Sequence, residues 1–207
     1  MSRDKFMRSI FLIVCFLFFC GSFCLAQQTN EVENQVDFET VLDKVLPIEQ
    51  RLGLNIGFRT HRDLYTETLE YSFLFSLDFP TSKVSIVTRE ADTVSVYDQL
   101  ATLRRQNPKA TIEHLTQQIK VKEQTLTEVE CPQLKQLFFS FEKINFRSPS
   151  SDLIVLHPMI YEIKSRFGGG DMYLTFVEEE QPLVKWALRV KAAANSCAAK
   201  AKKPIKK

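Results

Sequence analysis

The chain has 207 residues and a formal net charge of +2, from 27 Lys and Arg against 25 Asp and Glu. This length indicates one domain. Over 27–199 the balance is acidic, with 19 basic residues against 24 acidic ones. That balance argues against nucleic-acid binding by the folded body, because neutralising phosphates needs clustered Lys and Arg on the fold.

The first 26 residues have the pattern of a secretory signal peptide. Arg3, Lys5 and Arg8 give a basic start, and an apolar run follows over Ile10 to Phe19. Cys24-Leu25-Ala26 then provides small residues at positions −3 and −1 of a cleavage site before Gln27. The apolar stretch is shorter than the roughly 20 residues that span a bilayer. We therefore expect cleavage, and an uncleaved signal that acts as a membrane anchor is the alternative.

Helical spacing opens the predicted domain, 37–199, after a polar and flexible lead-in over 27–36. Asp37 is suited to cap a helix, and the apolar residues behind it recur at three- and four-residue steps. These residues are Phe38, Val41, Leu42, Val45 and Leu46. Pro47 does not fit deep inside a helix, so a second short turn is predicted from Pro47 until Gly53.

From Leu54 the apolar residues alternate with polar ones, which predicts β-strands. The first strand runs from Leu54 to Thr60, and the second from Leu69 to Phe79. A polar turn containing His61-Arg62-Asp63 joins them, and Leu74 is the one break in the alternation. We expect an antiparallel pair with an aromatic face toward the core and a solvated face on the other side, where Ser72 and Ser76 are exposed.

The remaining elements alternate between helical and strand spacing. They are a third strand over 83–89, a helix over 96–106, a helical turn over 112–119, a weak strand over 120–127, a helix over 132–144, strands over 153–167 and 172–176, and a helix from 182 to 197. Gly168-Gly169-Gly170-Asp171 is typical of a tight turn between the last two strands.

Two cysteines, Cys131 and Cys197, lie outside the predicted signal peptide. Cys131 begins one strongly amphipathic helix, and Cys197 continues the apolar stripe of the last helix. In an exported protein these positions favour a disulfide bond, with two free thiols as the alternative. The expected location is therefore secreted or periplasmic.

The C-terminal segment 200–207 carries five lysines and no acidic residue. We predict a basic, disordered tail, because short segments of this composition do not bury enough apolar surface to fold. Such a tail is suited to contact anionic surfaces, and contact with a membrane otherwise requires an uncleaved signal peptide.

Three histidines, His61, His114 and His157, are the candidate catalytic or metal-ligating residues. No pair has the spacing of a helical zinc site, and the chain lacks His-Glu-x-x-His, Cys-x-x-Cys and Gly-x-Ser-x-Gly. We therefore predict no catalytic residue, metal site or cofactor from local patterns. His61 is expected in an exposed hairpin turn, His114 on a helix surface, and His157 as a structural residue in a strand.

The sequence predicts a single α+β domain, with an antiparallel sheet of five or six strands and amphipathic helices packed on one face. Structural roles account for each polar cluster, which favours a non-enzymatic exported binding or accessory protein of unknown ligand and partner. The alternative is a hydrolase whose site is assembled from distant residues, namely His61, Asp63 and His157. The hydrolase hypothesis requires two of these residues to meet in one pocket.

Overall fold

A computed structural model describes residues 38–49, 54–62, 69–78, 81–144, 159–167, 170–177 and 179–201. The chain divides into two compact units, 1–41 and 42–207, and the β-sheet lies in the second. The predicted signal peptide, the lead-in and most of the lysine tail lie outside the described residues. So do Asp63 and His157.

Six antiparallel strands form one sheet with the spatial order β4-β3-β2-β1-β5-β6. Their bounds are β1 Leu54–Arg62, β2 Tyr71–Asp78, β3 Lys83–Ala91, β4 Val121–Thr127, β5 Met159–Phe167 and β6 Gly170–Phe176. The first four strands are neighbours in chain order, and β5 then pairs with the free side of β1. The predicted antiparallel sheet and α+β class are confirmed.

Five helices accompany the sheet in the described part of the chain. They are α1 over 38–45, α2 Val96–Gln106, α3 Ile112–Thr116, α4 Gln133–Ser140 and α5 Pro182–Ala201. Ser95 caps α2, because Ser95 Oγ accepts a hydrogen bond from the Asp98 backbone N–H at 3.0 Å. Within the described residues, no helix is long and apolar enough to cross a bilayer.

The aromatic face of the sheet packs against α4 and α5, as predicted. Phe73 and Phe75 are fully buried. The Phe75 ring lies 5.1 Å from the Phe138 ring of α4, and the Phe73 ring lies 6.1 Å from the Trp186 ring of α5. Trp186 also donates a hydrogen bond from Nε1 to the Leu137 carbonyl at 3.0 Å. The core therefore lies between this sheet face and the two helices.

The opposite sheet face is not solvated throughout, which corrects the sequence-based expectation. Ser72 is 0% exposed and Leu74 is also buried, although Ser76 is only half-buried. A Cβ on Gly57, which points to this face, would lie 1.8 Å from the Ile48 carbonyl oxygen. The chain segment after α1 therefore crosses this face directly over β1, and only glycine permits such a close approach.

Cys131 and Cys197 form a disulfide bond with their Cα atoms 5.6 Å apart, so the predicted pairing is confirmed. Both residues are buried. The bond joins the start of α4 to the last turns of α5, the two helices that cover the aromatic face. It therefore ties together the helical layer of the domain.

Candidate functional site

Five side chains from four elements meet on the second sheet face, and we call them the polar cluster. Arg59 and His61 lie on β1, Glu162 on β5, Tyr173 on β6 and Asp43 on α1. Residues two apart on a strand point to the same face, so Arg59 and His61 project together. The register of β1 and β5 places Arg59 directly opposite Glu162.

Glu162 is the centre of the polar cluster. Its Oε2 accepts a hydrogen bond from Arg59 Nε at 2.5 Å and lies 3.2 Å from His61 Nε2. Its Oε1 accepts a hydrogen bond from the Tyr173 hydroxyl at 2.5 Å. Burial alone would raise the pKa of the Glu162 carboxyl. Hydrogen bonds from His61, Arg59 and Tyr173 outweigh burial and hold its pKa far below the ordinary value of 4.5. Glu162 is therefore a carboxylate at physiological pH.

Arg59 is the cation that balances this carboxylate. Its side chain is 5% exposed, and its Nη1 also donates to Asp43 Oδ1 at 2.8 Å. Burial opposes the charge of the guanidinium, but hydrogen bonds to Glu162 and Asp43 raise the pKa of Arg59 above its ordinary value. A buried charge of this kind is tolerated because it is paired and hydrogen-bonded.

Tyr173 joins the polar cluster to the outermost strand. Burial and the hydrogen bond to Glu162 both raise the pKa of the Tyr173 hydroxyl, which therefore stays protonated and donates. The residue is nevertheless 56% exposed. The polar cluster thus connects three neighbouring strands, β1, β5 and β6, and ends at the sheet edge.

A second set of ion pairs fixes the crossing segment to β5. Glu49 lies 2.5 Å from Lys164 Nζ and 3.7 Å from Arg166 Nη2. Arg166 Nε also donates to Asp171 Oδ1 of β6 at 2.8 Å. Together with the Arg59–Asp43 pair, these contacts hold residues 43–49 across the sheet face.

Of the three residues in the hydrolase hypothesis, His61, Asp63 and His157, only His61 lies within the described residues. His61 is a buried residue of β1, so the prediction of an exposed hairpin turn is wrong. The strand continues to Arg62 because β5 pairs with it, with Ile160 opposite His61. His114 is exposed on α3, as expected. His157 and Asp63 lie outside the described residues.

The sequence alone does not predict that Glu162 and Arg59 are partners. They are 103 residues apart, and nothing in the local alternation shows that β5 pairs with β1. A weaker signal was present at Gly57, because a glycine inside a strand often marks a close approach of another backbone.

A second buried carboxylate, Glu70, has a structural role at the start of α2. It accepts hydrogen bonds from the Val96 backbone N–H at 2.7 Å and from the Tyr97 backbone N–H at 3.3 Å. Burial raises the pKa of Glu70 above 4.5, and the hydrogen bond from Val96 opposes that rise. An acidic side chain at a helix N-terminus is favourable, so capping explains this residue.

Glu162 is poorly suited to act as a general base near neutral pH. A carboxylate with a pKa far below the working pH is a weak proton acceptor, and Glu162 is engaged by three neighbours. No group of three or more His, Cys, Asp or Glu suited to a metal ion occurs among the residues that the structure describes. The hydrogen bonds of the polar cluster link β1 to β5, β6 and α1.

The two edges of the sheet differ in their charge. On β4, Lys122 pairs with Asp92 at 2.6 Å and Glu123 pairs with Arg89 at 2.7 Å. Charged side chains of this kind protect an edge strand from pairing with other chains. On β6, Asp171 is the one residue that is charged at neutral pH, while Met172, Tyr173, Leu174 and Phe176 are apolar or aromatic.

β6 is an edge strand in the described part of the chain, because its recorded strand pairing is with β5 alone. Met172 and Leu174 are half-buried on the core face, Tyr173 is exposed on the other, and Val177 just beyond the strand is 41% exposed. The sequence matches no family model, and it has no significant match to a curated protein or to a solved structure.

Proposed function

We propose that this chain is an exported, non-enzymatic binding protein that adds an extended polypeptide strand to the β6 edge of its sheet. The observation that carries the proposal is the difference between the edges. The β4 edge has paired charges, whereas β6 presents a nearly uncharged strand with an exposed Tyr173. In strand addition, main-chain hydrogen bonds supply affinity and alternate side chains supply specificity.

The polar cluster supports this role because it stiffens the edge before a ligand binds. The Tyr173 hydroxyl is bonded to Glu162, which is bonded in turn to Arg59 of β1. A strand held in its binding conformation loses less conformational entropy when a partner binds. The buried pairs thus contribute to recognition without performing chemistry.

Export is the second part of the proposal. The disulfide between Cys131 and Cys197 fits an oxidising compartment. Mass spectrometry of the exported protein is expected to give an N-terminus at or within a few residues of Gln27. An intact Met1 on membrane-extracted protein would instead identify an uncleaved anchor.

The binding experiment uses a labelled peptide of alternating Val and Thr residues, long enough to match β6, as the probe. Fluorescence anisotropy is expected to show binding that Tyr173→Lys weakens by about tenfold or more, because a lysine protects an edge strand. The matched control is Thr125→Lys, which places the same charge on an exposed central residue of β4, on the same sheet face. Equal effects of the two substitutions would reject β6 as the binding edge.

A hydrolase remains the second candidate, because one of its three predicted residues has a carboxylate neighbour. His61 Nε2 lies 3.2 Å from Glu162 Oε2, and a carboxylate can orient a histidine that acts as a base. A panel of nitrophenyl esters and phosphates tests this candidate. The hydrolase would be favoured over the binding protein if the wild type hydrolyses one of these substrates and the His61→Asn variant, while still folded, does not.

A further inference from the structure

We infer that the strand that pairs with β6 is β6 of a second copy of this chain, antiparallel to the first and centred on Tyr173. The inference rests on the proposed function and names the partner at that edge. It predicts a symmetric dimer in which two six-stranded sheets become one continuous sheet.

The length of β6 determines the register. The strand covers seven residues, Gly170–Phe176, and Tyr173 is its central residue. An antiparallel two-fold arrangement about Tyr173 pairs every residue of one copy with a residue of the other. Any other register leaves residues of the strand unpaired, with fewer main-chain hydrogen bonds.

The core face of β6 is self-complementary in this register. Met172 lies opposite Leu174 of the second copy, and Leu174 lies opposite Met172 of the second copy. Both side chains pack on the core of their own chain but remain half-buried at its edge. Pairing covers them with equivalent apolar side chains and extends the hydrophobic layer across the two-fold axis, which is favourable because apolar surface leaves water.

The other face carries no like-charge conflict. The two Tyr173 side chains lie opposite each other, and cross-strand aromatic pairs stabilise sheets. Asp171 lies opposite Thr175 of the second copy, and its carboxylate is already paired with Arg166 at 2.8 Å. Within β6, therefore, no unpaired charge has to lose its water when the copies meet.

The β4 strand shows why the same pairing is not expected at the other edge. It also has seven residues, Val121–Thr127, so its two-fold register would centre on Gln124. That register places the Lys122 ammonium opposite the Leu126 side chain of the second copy. This position would desolvate the Lys122–Asp92 ion pair against an apolar side chain that offers no hydrogen bond, which opposes pairing.

Three variants of the full mature chain, each with one cysteine added to the Cys131–Cys197 disulfide, test the register. Tyr173→Cys places equivalent cysteines opposite each other at the two-fold axis, so mild oxidation is expected to give a covalent dimer. Thr175→Cys places them four residues apart along the paired strands, roughly 13 Å at the rise of a strand, so no cross-link is expected. Thr125→Cys on β4 is the control for random collision.

Sedimentation equilibrium of the unmodified mature protein provides the second measurement. The inference is supported by a concentration-dependent dimer that the Tyr173→Lys substitution dissociates and the Thr125→Lys substitution leaves intact. The Tyr173→Cys variant must also cross-link. A protein that stays monomeric at every concentration overturns it, as does equal cross-linking of all three cysteine variants. A monomer that still binds the Val-Thr peptide at β6 overturns self-pairing and leaves the proposed function intact, whereas loss of both rejects both.

Discussion

Arg59 Nε and Glu162 Oε2 lie 2.5 Å apart, and each side chain is less than a tenth exposed. This pair joins β1 to β5, and Tyr173 extends it to β6. Two charges in this position do not necessarily add stability over apolar residues, because both lost their water on folding. Their pairing does make either partner costly to remove.

The first prediction concerns the loss of one partner. Glu162→Gln is expected to lower the free energy of unfolding by about 3 kcal/mol, because Arg59 keeps a buried charge with a weakened partner. The control is Glu123→Gln, which breaks the exposed Arg89–Glu123 pair and should cost no more than about 1 kcal/mol. Urea unfolding measures both. Similar costs for the two variants would contradict the burial assigned to the pair.

The second prediction concerns pH. The folded pKa of Glu162 lies below the unfolded value, so its contribution to stability is complete above the unfolded pKa and is lost as pH falls toward the folded pKa. The stability difference between wild type and Glu162→Gln should therefore be constant above about pH 5 and shrink below about pH 4. The pKa of Glu70 is shifted in the opposite direction, so the contribution of Glu70 to stability declines as pH rises. Because Glu70 is present in both proteins, this contribution cancels when the stability of the variant is subtracted from that of the wild type.

The third prediction concerns the close approach of two backbones. Gly57→Ala would place a Cβ 1.8 Å from the Ile48 carbonyl oxygen, so the crossing segment must move. The expected loss is about 3 kcal/mol, at the upper end of overpacking costs. Thr125→Ala on the exposed face of β4 serves as the control and should stay within about 0.5 kcal/mol. An unchanged melting temperature for Gly57→Ala would mean that this segment does not cross β1.

The fourth prediction compares two buried residues of β2. Phe75→Ala should cost about 3–5 kcal/mol, because its ring packs between the sheet and α4. Ser72→Ala should be neutral or stabilising, because the Ser72 hydroxyl is buried with no hydrogen-bond partner among the described residues. Thermal or urea unfolding distinguishes them. A large loss for Ser72→Ala would reveal a partner for the hydroxyl.

The fifth prediction concerns the disulfide. The bond joins residues 66 apart, so its removal should lower the free energy of unfolding by roughly 4 kcal/mol through the entropy of the unfolded chain. Paired Cys131→Ala and Cys197→Ala substitutions measure this loss. Native, unreduced protein should resist thiol labelling, and labelling of both cysteines would show that the bond is absent.

The sequence predicts the local elements well and the contacts between distant elements poorly. Alternation identified Phe73 and Phe75 on the core face because the pleat of a strand determines that period. It misplaced His61, since the polar run after Thr60 resembles a turn and only pairing with β5 extends the strand. It predicted a solvated second face because the alternation of β2 carries no information about the segment that covers it.

The same limit applies to the candidate site. Cys131 and Cys197 could be paired in advance because each occupies a recognisable position on an amphipathic helix, and because export, which the sequence predicts, would favour oxidation. Glu162 could not be assigned to Arg59, because strand order is set by the packing of the whole sheet. The edge position of β6 among the described strands likewise depends on that order, which places β6 outermost.

Amide hydrogen exchange in β6 tests the central claim, strand addition at this edge, most directly. We predict that outward-facing amides of Gly170–Phe176 become protected as the concentration of mature protein or of the Val-Thr peptide rises. The amides of Val121–Thr127 in β4 should not change over the same series. Exchange in β6 that stays constant across both series, or protection that rises equally in β4, would contradict the account.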